Sequence, residues 1–148
     1  MGVSDPSVLV GLDTSVVLRL LVGSPPDQAE AALGFVRQSR SAGVRIVVSD
    51  LVVSEAYFAL HAHYDVPKAA AIAALLEMLG SGLVEPADGP GILAVLGSAA
   101  RSSAKPGFVD RLIHEQYQRS SARTTTFERA AGRLTGSIVL KAAGRSRR

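Results

Sequence analysis

Four carboxylates stand where a folded chain can bring them together. Asp13 ends the apolar run Val8-Leu9-Val10-Gly11-Leu12, and Glu55 interrupts an otherwise apolar stretch from Leu51 to Leu60. Asp110 lies in the stretch Phe108-Val109-Asp110-Arg111-Leu112-Ile113, and Glu128 follows the strand-like Thr124-Thr125-Thr126-Phe127. Acids at the ends of parallel strands and on the adjoining helices can converge in one cleft. Carboxylates crowded together repel and resist ionising until a cation neutralises the group. A divalent-metal site is the simple solution, and metal-assisted hydrolysis is the chemistry it supports.

Each acid also has a purely structural reading. Asp13 can cap the helix that begins at Thr14. Asp110 can sit in a first helical turn, where the dipole favours negative charge. Thr125-Thr126-Phe127-Glu128 fits a capping box, with Glu128 reaching back to the backbone of Thr125. Glu55 lies either on an exposed stripe or in a site, and nearly two turns of apolar neighbours favour the site. The other acids read as ordinary: Asp27 and Glu30 in a first helical turn, Asp50 as a cap where either Ser49 or Asp50 can cap the helix from Leu51, Glu115 paired with Arg111 four residues earlier. His61, His63 and His114 show no metal-ligand spacing, and His114 reads as a surface residue. Ligands in open α/β sheets bind beyond the carboxyl ends of strands, where chain order reverses. Asp13 and Glu128 both follow strands at that edge.

The elements that must position these acids alternate. Strands are expected at 8–12, 44–48, 83–86, 123–127 and 137–140. Helices are expected at 14–22, 27–41, 51–64, 68–79, 91–102 and 108–120, with a short one at 128–134. The alternation predicts the α/β class, as a three-layer α/β/α sandwich around one central parallel sheet of four to five strands.

At 148 residues, 47% hydrophobic and 20% charged, the chain reads as a single domain over 1–140 with a sizeable core. There are no cysteines, which excludes disulfides and thiolate metal sites and is consistent with a cytoplasmic location. No apolar run is long enough to span a bilayer. The opening Met1-Gly2-Val3-Ser4-Asp5-Pro6 fits neither a secretory signal nor a myristoylation site. The net charge is +3, yet Lys141, Arg145, Arg147 and Arg148 supply four positive charges, and without them 12 basic residues face 13 acidic ones. The basic character thus belongs to a tail over 141–148, read as a solvated, disordered end that can touch nucleic acid electrostatically.

Four acids in this order and these settings resemble the PIN-domain ribonuclease family, most closely the VapC-type toxins of bacterial toxin–antitoxin pairs. The resemblance rests on Gly11-Leu12-Asp13-Thr14-Ser15, on Val53-Ser54-Glu55-Ala56-Tyr57, on Gly107-Phe108-Val109-Asp110-Arg111 and on Thr125-Thr126-Phe127-Glu128-Arg129, and spans roughly 8–140. The family usually has aspartate where this chain has Glu128, and the extra methylene moves the carboxylate by about one bond length. The resemblance implies an endoribonuclease acting on single-stranded or structured RNA with Mg²⁺ or Mn²⁺. Asp13 and Asp110 would hold the principal metal, Glu55 and Glu128 would bind a second ion or its waters, and Thr126 would support the site. It further implies a cognate antitoxin and a homodimer. Arg19, Arg111, Arg123 and Arg129 flank the motifs and are either phosphate contacts or solvated surface residues. The rival reading is a catalytically inert PIN-like module that binds RNA or protein.

Overall fold

The computed structural model describes residues 8–144. The readings of the first seven residues, and of Arg145, Arg147 and Arg148 in the tail, lie outside the described residues.

Val8 to Leu12 begins the fold as strand β1 (Leu9–Gly11), after which Asp13 caps helix α1 (Thr14–Val22) by accepting the Val16 amide. Gly23 ends α1 with φ +75, a left-handed conformation that strains a residue bearing a Cβ. Helix α2 (Pro26–Ser41) starts with proline in its first turn, where no amide hydrogen bond is lost. Strand β2 (Arg45–Val48) leads into helix α3 (Asp50–Ala62), whose N-cap is Ser49, accepting from the Val52 amide at 3.2 Å. Helix α4 (Lys68–Gly80) follows Pro67, then the two-residue strand β3 (Glu85–Pro86), helix α5 (Gly91–Arg101) and helix α6 (Phe108–Arg119). The chain closes with β4 (Thr125–Thr126), a 3₁₀ segment (Arg129–Arg133) and β5 (Ile138–Val139).

The fold is α/β, a parallel sheet flanked by helices. Among the described residues that sheet has three strands in the order β1-β2-β3, with Val10 opposite Ile46 and Val47 opposite Glu85. Strands β4 and β5 form a separate parallel pair, with Thr125 opposite Ile138 and Thr126 opposite Val139. The single sheet of four to five strands expected from the sequence is therefore divided. The reason is local: the carbonyls of Thr124 and Thr126 accept the amides of Ile138 and Leu140, each at 2.7 Å, and strands of two residues have few further groups to extend a ladder.

One hydrophobic core holds the first sheet and all six helices together. Ile46 and Val48 of β2 meet Val17 and Leu18 of α1, Val36 of α2, Val53, Ala56 and Leu60 of α3, Leu75 and Leu79 of α4, Ile92 and Leu96 of α5, and Phe108 and Leu112 of α6. Each fully buried Leu, Ile or Phe side chain contributes about 1.5–3 kcal/mol of transfer free energy. That core places the carboxyl ends of β1 and β2 beside the starts of α1 and α3.

Candidate functional site

The first two acids meet at those helix starts. Leu12 continues the ladder of β1, its amide donating to Val47 O at 3.0 Å, so Asp13 emerges directly from the sheet edge. The Asp13 side chain takes the Ser15 hydroxyl on Oδ1 at 2.6 Å and the Val16 amide on the same oxygen at 3.2 Å. Those two bonds, the Ser15 hydroxyl foremost, hold its carboxyl below the usual carboxylate range. The capping reading of Asp13 is thus correct, and capping keeps the carboxylate ionised at the mouth of the sheet.

Packing of α1 on α3 brings Glu55 alongside. The Thr14 hydroxyl donates to Glu55 Oε2 at 2.5 Å, so a single side chain joins the residue next to Asp13 to the second acid. The apolar neighbours of Glu55 do not enclose it. Leu51 and Phe58 are 71% and 64% exposed, and with Glu55 they form a solvent-facing stripe at helical spacing. The expectation that little exposed stripe remained on this helix is corrected.

Asp110 lies in the first turn of α6, exposed and next to the helix N-terminus, where the dipole favours its charge. Glu128 is exposed at the N-cap of the 3₁₀ segment and makes no capping bond through its side chain. The expected capping box is absent; instead the Glu128 amide donates to the Thr126 hydroxyl oxygen at 3.0 Å, a local turn that aims Thr126 at the fourth acid. No described contact joins Asp110 or Glu128 to the Asp13–Glu55 pair. Because β4 does not lie beside β1, the reversal of strand order expected to gather Asp13 and Glu128 is not formed among the described strands.

Three residues read as ordinary are not. Asp50 is 1% exposed, and it is not the cap: Ser49 is. Its Oδ2 accepts from Arg119 Nη2 at 2.9 Å and from Gln116 Nε2 at 3.3 Å, while its amide donates to Asp88 Oδ2 at 2.7 Å. Two cap-type residues in tandem, Ser49 and Asp50, are the sequence signal for this, since only one can cap. Glu115 lies 2.9 Å from Arg119, not beside Arg111, and its carboxylate fills the space that a side chain at Gly91 would need. His114 is buried, with Nδ1 2.8 Å from the Thr124 hydroxyl, tying α6 to the segment before β4. Its position one turn after Asp110 hid that link, because Thr124 is joined to it only through the fold.

The flanking arginines are mostly engaged. Arg111 donates to Pro106 O, Ser98 Oγ and Ala104 O, which makes it a strut for the loop before α6. Arg123 donates to Gly136 O, and Arg19 to Gln28 Oε1 at 2.6 Å.

The donor chemistry of the four acids is all oxygen, as a hard cation requires. Among the described residues no group of three or more Asp, Glu or His side chains is arranged to hold a metal ion. Asp13 and Glu55, brought near one another by the Thr14 hydroxyl bond to Glu55, are oxygen donors of the type a divalent cation takes, and hard cations that keep their waters need only one or two carboxylates.

Comparison with known proteins gives one match: the family model of the PIN domain aligns with residues 10–135, which includes all four acids. No curated protein and no solved structure matches the chain significantly.

Proposed function

Since the chain belongs to the PIN domain family, whose members are generally nucleases that use divalent metal ions, we propose that it is an Mg²⁺- or Mn²⁺-dependent endoribonuclease. Its substrate in this reading is single-stranded or structured RNA, and its role is that of the toxin in a type II toxin–antitoxin pair. The observation that carries the proposal is the Asp13–Thr14–Glu55 link at the carboxyl end of β1. It supports the reading because two carboxylates lie near the sheet edge where α/β folds bind their ligands.

In this reading Asp13 and Asp110 hold the principal ion, and Glu55 and Glu128 hold a second ion or orient waters. The Ser15 hydroxyl and the Val16 amide keep Asp13 ionised, and Thr14 fixes the rotamer of Glu55. Thr126, turned toward Glu128, supports the fourth position. A bound divalent ion supplies a nucleophilic water at neutral pH and stabilises charge on the scissile phosphate. The exposed apolar side chains of Leu51 and Phe58 on either side of Glu55 support a protein partner that covers the site, as an antitoxin or a second subunit would. No helix among the described residues is long and apolar enough to cross a membrane.

The test is cleavage of end-labelled RNA by purified protein with Mn²⁺, with Mg²⁺ and with EDTA, alongside an Asp110→Asn variant. Metal-dependent cutting that the variant lacks supports the proposal. Equal cutting by both preparations overturns the site. No cutting of any of several RNAs by folded, partner-free protein favours the inert binding module.

A further inference from the structure

Helices α3 and α6 touch at two separated places. At one, Arg119 and Gln116 of α6 both reach Asp50 Oδ2 at the start of α3. At the other, the rings of Tyr57 on α3 and Phe108 on α6 meet edge to face, with centroids 5.1 Å apart. The residues run in opposite directions along the two helices. At 1.5 Å per residue, Asp50 to Tyr57 covers about 10 Å of axis, and Gln116 back to Phe108 about 12 Å. The two contacts therefore hold α3 and α6 antiparallel in one register. Glu55 lies between them on α3, and Asp110 lies between them on α6.

We propose that the Asp50–Arg119 ion pair is a positioning element for the acid centre: it sets the register of α6 along α3, and with it the placement of Asp110 relative to Glu55. This rests on the reading of those two acids as parts of one site. The Tyr57–Phe108 contact packs Phe108 into the core but pairs no specific polar groups. The ion pair is specific, because Asp50 is buried and its Oδ1 already lacks a partner. A slip of one turn, about 5.4 Å, would strip Oδ2 as well and leave a buried carboxylate uncompensated. Buried ion pairs add little net stability against apolar replacements, but in some proteins buried polar groups select one register. Arg119 is itself anchored, since Nη1 donates to Asp88 O while the Asp88 carboxylate accepts the Asp50 amide. Glu115 adds a second carboxylate at 2.9 Å from Nη2. The clamp thus ties α3 and α6 to the loop between β3 and α5, distant in sequence from all four acids.

The natural sequence has no cysteine, so Glu55→Cys with Asp110→Cys takes two nitroxide labels in the full chain without background. Their dipolar coupling reads the separation of the two positions directly. The parent is expected to give one narrow distance. Arg119→Lys keeps the charge but cannot reach Asp50 and Asp88 together. Well below its unfolding midpoint, with an unchanged circular dichroism spectrum, it is expected to broaden or displace that distance. Asp50→Asn serves the same purpose should the lysine variant fail to fold. A pair that merely stabilised the fold would lower the midpoint and leave the distance unchanged, and that result overturns the proposal. In chains with native acids and no RNA, Mn²⁺ binding followed by electron paramagnetic resonance is expected to weaken by about tenfold in the same variants, as for other residues that orient metal ligands. An unchanged affinity in a parent that binds Mn²⁺ also overturns it. A parent that binds no Mn²⁺ refutes the metal-centre reading, while the label distance still decides whether the clamp sets the register.

Discussion

The first two acids and the last one stand in regions built differently. Asp13 and Glu55 are mounted on elements whose inner faces belong to the hydrophobic core, through Leu12, Val17 and Leu18 beside Asp13 and through Val53, Ala56 and Leu60 beside Glu55. That core ends in the chain at Leu112. After it, Ala131 is the one buried apolar residue among the described residues, and polar links join the β4–β5 segment to the rest. These are His114 to Thr124, Gln118 to Thr135 O and Arg133 to Lys105 O. Apolar packing falls off only when whole side chains move, whereas a few hydrogen bonds at a solvated surface open singly. Asp13 and Glu55 are thus mounted on packed elements, whereas Glu128 lies on a segment tied to the rest by polar contacts. Asp110 is on α6 between the core residues Phe108 and Leu112, and the Asp50–Arg119 pair adds the register proposed above.

The comparison sharpens first in activity. If the proposed function holds, Asp13→Asn and Asp110→Asn are each expected to lower RNA cleavage by about a hundredfold or more, since changing even outer-shell partners of a metal costs about 10- to 100-fold. Initial rates on end-labelled RNA check this. In stability, Arg119→Ala is expected to lower the urea midpoint clearly, because it leaves the buried Asp50 without its charged partner. An unchanged midpoint would place Asp50 among ordinary surface carboxylates. Hydrogen exchange then separates the regions directly: amides of α3 exchange only on global unfolding, while those of Ile138 and Leu140 exchange through local opening at lower free energy. Equal protection of both would break the comparison. Glu128→Ala, at an exposed site, changes stability by no more than about 0.5 kcal/mol. If the proposed function holds, it is expected to lower cleavage less than Asp13→Asn does, and an equal loss would make the polar links as exact a mount as the core.

The smallest effect is one of pH at the sheet edge. Glu85 is held below its usual carboxylate range by the Arg45 guanidinium, which it meets at 2.8 Å. A depressed carboxylate contributes stability above its unfolded value, near about 4.3, and loses it as pH falls through the folded value. Arg45→Met removes the partner, so the urea midpoint of the variant falls less steeply across that window than that of the parent.

Local structure was legible because its causes are local. The run Val8–Leu12 ahead of a helix-start residue predicts β1 and α1, and Gly43 before Val44–Val48 predicts the end of α2 and the start of β2. Each expected element is present, with bounds shifted by a few residues. What periodicity cannot carry is pairing. Nothing in Arg123–Phe127 says whether that strand joins β1 or pairs with Ser137–Leu140, and the structure pairs it with the latter. Partners of charges were misread for the same reason: Glu115 has Arg111 and Arg119 at equal helical spacing, and only the engagement of Arg111 with Pro106, Ser98 and Ala104 decides between them.

By itself the sequence determined the order of elements, the order of the four acids and the family to which they belong, because periodicity, capping chemistry and motif order are properties of neighbouring residues. Tertiary structure decided the division of the sheet, the joining of Asp13 to Glu55 through Thr14, and the burial of Asp50 against Arg119. Those depend on contacts between residues 41 and 69 positions apart, which form only when the core fixes the helices against one another.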